Sequence, residues 1–144
     1  MSFETCISAC NRMLSHELAT IRMYEAAEPG EFEEPVLTQA SAAHLSNALS
    51  LRVQIRMMGG TPCSCEEACS GLVACPEWEQ LISRERDGIS RYLEALAADE
   101  FSGDVRDLIR FTLVPDLKYA IQVLKHAHRR RENPVSGKPV ALAG

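Results

Sequence analysis

Apolar residues recur at helical spacing along four long stretches of this sequence, separated by helix-breaking residues. The first stretch, about Phe3 to Ala27, aligns Ile7, Cys10, Leu14, Leu18, Ile21 and Tyr24 before Pro29-Gly30. The second, about Pro35 to Met58, places Leu37, His44, Leu51, Ile55 and Met58 on one face and closes on Gly59-Gly60. The third starts near Pro76, a favourable first-turn residue, and carries Trp78, Leu81, Ile82, Ile89, Tyr92, Leu93 and Leu96. The fourth follows Ser102-Gly103-Asp104 and carries Leu108, Ile109, Leu113, Leu117, Ile121 and Leu124. This pattern predicts an all-α chain, folded as an up-down four-helix bundle over residues 1–132. Short links favour antiparallel neighbours in such a bundle. The exception is the Cys-rich connection from Gly59 to Cys75, which is expected to hold a short helix near Glu66–Val73. The tail 133–144, with two prolines and two glycines, is expected to be flexible.

The balance of residue types agrees. With 144 residues the chain suits one domain with a real core. Hydrophobic residues make up 46% and aromatics only 6%, which favours helices on helices over a β-sandwich. A net charge of −5 argues against nucleic-acid or membrane-surface binding, since both need a basic excess. Arg129-Arg130-Arg131 is read as a solvated helix end. No apolar run approaches the ~20 residues of a membrane span. Met1-Ser2-Phe3-Glu4 lacks the basic start of a secretory signal, so a cytoplasmic, bacterial protein is expected. Six cysteines in a reducing compartment read first as thiols, metal ligands or redox groups.

Each apolar stripe is interrupted near mid-length by polar residues. These are Glu17 on the first helix, His44 and Asn47 on the second, Glu85 on the third, and Asp116 and Tyr119 on the fourth. Charged side chains are rarely buried unless paired or metal-bound. Counted from Cys6, Met58, Glu77 and His126, the polar residues fall ~12–17 Å from one end of an up-down bundle, hence in one layer. A dinuclear carboxylate site has this layout: one Glu from each of two helices and Glu-x-x-His from each of the others.

The sequence resembles the ferritin-like superfamily, bacterioferritins and rubrerythrin-type bundles in particular. His16-Glu17-Leu18-Ala19-Thr20-Ile21-Arg22-Met23-Tyr24 is similar to the first helix of bacterioferritins, where a ligand Glu precedes a Tyr by seven. Glu85-Arg86-Asp87-Gly88, with Tyr92-Leu93-Glu94-Ala95, is similar to their third helix. Asn47-Ala48, Ile55 and Gly59-Gly60-Thr61-Pro62 resemble the end of the second. The resemblance spans about residues 3–128 and implies metal ligands at Glu17, His44, Glu85 and Asp116, with iron or manganese as the metal. It also implies Tyr24 and Tyr92 as donors that orient the carboxylates.

The departures bear on activity. His44 and Asn47 stand where the family has Glu and His, or Ser41 and His44 do in an alternative register. Asp116-Leu117-Lys118-Tyr119-Ala120 replaces Glu-x-x-His-Ala. Asn47 and Tyr119 are therefore degenerate ligand positions, and the complete ferroxidase set is absent. No haem-ligand Met lies between His44 and Asn47, so no haem is expected. Pro115 removes a hydrogen bond directly before Asp116, so it either kinks the fourth helix or starts a new segment. The competing reading of the whole layer is a metal-free network of Glu17 and Glu85 with Tyr24, Tyr92, Tyr119 and His44.

An up-down bundle would also bring Cys6, Cys10, Cys63, Cys65, Cys69 and Cys75 to one end, together with His126 and His128. Thiolates suit Zn(II) or Cu(I), so an alternative thiolate site is expected there. Cys10, and Cys6 with it, read equally as small core residues, and a disulfide to the connection is a third option. Three functions follow. One is a ferritin-like metal-binding protein with a degenerate central site and a link to redox chemistry. Another is a non-enzymatic thiolate module for zinc or copper. The last is a metal-free bundle that forms a homodimer.

Overall fold

The computed structural model describes residues 2–27, 34–68 and 75–132, and among these the only regular structure is helical. Helix α1 spans Glu4–Ala26, α2 Glu34–Met57, α3 Cys65–Ala68, α4 Trp78–Ala97, α5 Gly103–Leu108 and α6 Val114–Glu132. A π-helical turn, Ile109–Leu113, joins α5 to α6, so residues 103–132 form one continuous rod. Cys69 and the expected helix beyond Ala68 lie outside the described residues, as does the tail 133–144.

Local chemistry sets the ends. Glu77 and Gln80 form a capping box at the start of α4, with the Glu77 N–H donating to Gln80 Oε1 at 2.7 Å. At the end of α2 the Gly60 N–H donates to the Ile55 carbonyl at 2.9 Å, while Gly59 takes φ +87°. Gly60 also lies against α1: a Cβ there would sit 2.7 Å from Ile7 Cγ2.

Two apolar clusters fill the interior. One joins Cys6, Cys10 and Leu14 of α1 to Leu51 and Ile55 of α2, Tyr92 and Ala95 of α4, and Val105 and Ile109 beyond them. The other joins Met23 and Tyr24 to Val36 and Ala40, Trp78 and Leu81, and Leu124 and Ala127. These partners define the path of the chain. The start of α1 shares an end of the bundle with the end of α2, the end of α4 and the start of α5. The opposite end holds the close of α1, the starts of α2 and α4, and the close of α6.

This path corrects the up-down expectation. Helices α2 and α4 run in the same direction, so the connection between them starts at one end of the bundle and finishes at the other. Each long helix still packs antiparallel to two neighbours: α1 to α2 and α4, and α6 to α2 and α4. A short link would have forced α4 to run against α2, but this connection is long enough to cross.

The crossing also divides the residues expected to meet at a cysteine end. Cys6, Cys10, Cys63 and Cys65 belong to the end where α1 starts. His128 stacks on Trp78 at the other end, ring centroids 5.4 Å apart. Cys75 lies only three residues before Trp78, and an exposed His126 lies on the same closing turns of α6. No helix among the described residues is long and apolar enough to cross a membrane.

Candidate functional site

Counting along the helices with the corrected directions sharpens the polar layer. Glu17 lies thirteen residues from Glu4, His44 thirteen from Met57, Glu85 twelve from Ala97 and Asp116 thirteen from Gly103. At ~1.5 Å per residue these are all about 18–20 Å from the same end. The layer falls between the two apolar clusters.

His44 is the hub. Its Nδ1 lies 2.5 Å from Glu17 Oε1 and its Nε2 lies 2.6 Å from Glu85 Oε2. Carboxylate oxygens accept, so both ring nitrogens donate and the ring is an imidazolium. Burial alone would lower its pKa, but the bonds to Glu17 and Glu85 outweigh that and raise it to about 10. Tyr92 Oη donates to Glu17 Oε2 at 2.7 Å and Tyr24 Oη donates to Glu85 Oε2. Burial beside these carboxylates pushes both phenol pKa values up, which keeps the tyrosines as donors. Asn47 Nδ2 donates to Glu17 Oε2 at 3.0 Å and to the Leu113 carbonyl at 3.4 Å.

The four central residues Glu17, His44, Asn47 and Glu85 are each at most 1% exposed. Two of their oxygens, Glu85 Oε1 and Asn47 Oδ1, are buried without a hydrogen-bond partner. Both are acceptors. Two carboxylates against one imidazolium also leave a formal charge of −1 in the layer. Orphaned acceptors together with excess negative charge make a cation-binding environment.

The outer positions differ. Asp116 is half-buried at the rim of the layer, where burial and the nearby Glu17 raise its pKa. Tyr119 is 55% exposed and accepts a hydrogen bond from Gln39 Nε2 on the outside of the bundle. It therefore takes no part in the central network, because its place on α6 turns it outward. Pro115 does not break the helix, which runs on from Val114 to Glu132. The π-helical turn before it widens the helix, and the Val114 N–H donates to the Ile109 carbonyl five residues back. That turn presents the Leu113 carbonyl to Asn47. Among the described residues no three His, Cys, Asp or Glu side chains are arranged to hold a metal ion. In the central layer each nitrogen of His44 is spent on a carboxylate.

A second polar cluster between α1 and α4 is missing from the sequence reading. Buried His16 Nε2 lies 3.1 Å from Asp87 Oδ2, and Arg84 donates to Thr20 Oγ1 at 2.9 Å and to the His16 carbonyl at 3.1 Å. Burial and then the Arg84 charge lower the His16 pKa to about 4, against the pull of Asp87. Gly88 makes room: a Cβ there would sit 3.1 Å from His16 Cε1. That mid-helix glycine is the one signal that could have exposed the cluster.

At the thiol end, Cys6 and Cys10 are buried. The Ser102 N–H donates to Cys6 Sγ at 3.3 Å, and the Cys63 N–H donates to Asn11 Oδ1 at 2.8 Å. Burial, and then Cys6 beside it, raises the Cys10 pKa, while burial and then Glu67 raise that of Cys63. Cys10 and Cys63 are therefore protonated and weakly nucleophilic at neutral pH.

Comparison with family models, with curated proteins and with solved structures finds no match.

Proposed function

We propose that this chain is a divergent ferritin-like bundle whose central layer takes one divalent transition-metal ion, iron or manganese, in exchange for the proton of His44. The observation that carries this reading is the pair of orphaned buried oxygens, Glu85 Oε1 and Asn47 Oδ1, in a layer of formal charge −1. Glu17, Glu85 and one nitrogen of His44 are the donors that would hold the ion, with Asn47 beside them. Two carboxylates and a neutral imidazole balance one divalent ion, and a second ion would leave positive charge buried. The metal would supply Lewis acidity or one-electron redox chemistry. Tyr24 and Tyr92 would hold the carboxylates in place, and Asp116 would lie at the rim of the site.

The test is anaerobic calorimetric titration with Fe(II) or Mn(II) in buffers of different ionisation enthalpy. One ion per chain and about one proton released per ion are expected near neutral pH. Saturable binding should vanish in Glu85→Gln. No saturable binding, or binding indifferent to that change, would remove this reading.

A second reading is favoured by the two short bonds of His44: the imidazolium stands permanently in place of the metal, and the layer is structural. Elemental analysis of freshly purified protein separates the two. Zinc or copper instead, lost on thiol alkylation, would favour a thiolate site built from Cys6, Cys10, Cys63 and Cys65.

A further inference from the structure

Helix α2 carries a face that none of the central chemistry uses. Between Glu34 and Arg52 its exposed surface carries no charged residue, His44 being buried in the central layer. Leu45, Leu49, Val53 and Met57, one turn apart in series, are 53%, 52%, 52% and 75% exposed. Other exposed apolar side chains, such as Phe3, Leu93 and Phe111, are scattered on different elements and need no partner. At 100° per residue, Glu34, Thr38, Leu45, Leu49, Arg52 and Arg56 fall within about 60° of one another on the α2 surface. This face therefore reads acidic, then uncharged, then basic along the helix.

Beside the ridge lies a hollow. A pocket of about 370 Å³ opens where Leu37, Thr38, Ser41 and Ala42 of α2 meet Tyr24 and Glu25 of α1. Ridge and hollow lie on opposite sides of Leu45 along the same helix. Glu34 lies eleven residues before Leu45, and Arg56 eleven after it.

We propose that this face binds a second copy of the chain, with two α2 helices packed antiparallel about a two-fold axis at Leu45. The geometry is self-complementary. A two-fold axis there sets Glu34 against Arg56 of the second copy and small Ser41 against its Leu49. It also sets Thr38 against its Arg52, beside the carboxylate of Glu25 that rims the hollow. The Leu49–Val53 ridge of each copy then fills the hollow of the other. A parallel pairing would set Glu34 against Glu34 and Arg56 against Arg56, so charge selects the antiparallel arrangement. An isologous contact of this kind closes at two copies.

The test is sedimentation velocity on the full chain from about 1 to about 100 μM, with and without chelator. A dimer is expected in both conditions, so failure here is separate from failure of the central metal site. Leu45→Glu and Leu49→Glu should give monomers with unchanged far-UV circular dichroism. Glu34→Arg or Arg56→Glu alone should weaken association at least about fivefold, because the axis repeats each lost pair. The double variant Glu34→Arg/Arg56→Glu should restore it to within about twofold of the parent. A monomeric parent throughout the range, or a dimer indifferent to Leu45→Glu, would overturn the proposal. So would a double variant no tighter than the single ones.

Discussion

At the scale of the residue, two buried histidines are pushed in opposite directions by their neighbours. His44, faced by Glu17, Glu85 and the rim carboxyl of Asp116, has its pKa raised from 6.5 to about 10. Its stabilising contribution is full below pH 6.5 and is lost as pH rises toward 10, because the folded state holds the proton that the unfolded chain releases. His16 has its pKa lowered from 6.5 to about 4, so its contribution is full above pH 6.5 and is lost as pH falls toward 4. Stability measured by urea titration across pH is therefore expected to peak near pH 6.5. His16→Asn should flatten the limb between pH 6.5 and 4 and leave the alkaline limb in place. Glu17 is the residue whose loss costs most. Glu17→Ala leaves His44 Nδ1 and Tyr92 Oη without their acceptor and takes one of two from Asn47 Nδ2, and a cost of about 3–5 kcal/mol is expected in equilibrium unfolding. A cost under about 1 kcal/mol would mean that the layer is not a coupled network.

At the scale of the element, the ends and irregularities of helices carry the positioning. Gly60 brings the end of α2 within reach of Ile7, so Gly60→Ala forces a methyl into a 2.7 Å contact. The expected cost is about 1–3 kcal/mol by chemical denaturation, and Ile7→Ala should absorb part of it in a double-variant cycle. Proline inside a regular helix costs about 3 kcal/mol. Pro115, however, follows directly on the π-helical turn, where the hydrogen-bond pattern is already shifted. Pro115→Ala is therefore expected to change stability by less than about 1 kcal/mol. A gain near the full proline penalty would show that the turn does not accommodate it. That turn also sets the Leu113 carbonyl facing Asn47, so an irregular element completes the polar layer.

At the scale of the whole molecule, the connection between α2 and α4 decides which groups meet. It separates Met57 from Glu79 by nearly the length of a helix, about 30 Å at 1.5 Å per residue. Spin labels at Met57 and Glu79, both exposed, should report that separation. A distance near about 15 Å would instead indicate a direct turn between neighbouring helices. The same crossing moves His126, His128 and Cys75 away from the other thiols of the described residues. It leaves the central layer intact, because in its true direction α4 sets Glu85 twelve residues from the shared end, level with Glu17, His44 and Asp116.

Much of this molecule was determined by sequence alone. The long helices follow from 3.6-residue periodicity bounded by Pro76, Gly59-Gly60 and Ser102-Gly103, all of which act locally. The burial of Glu17, His44, Asn47 and Glu85 follows from their places within apolar stripes, for the same reason. Tertiary structure alone decided the rest. Whether α4 runs with or against α2 depends on packing between helices, which periodicity within one helix does not encode. That His44 bridges both glutamates, rather than leaving a nitrogen open, depends on where three separate helices place their side chains. Tyr119 shares a three-residue spacing with Asp116, yet its position around α6 in the packed bundle puts it in solvent. One-dimensional spacing gives the order and depth of groups along each helix. Direction, rotation and hydrogen-bond partner are properties of the packed bundle.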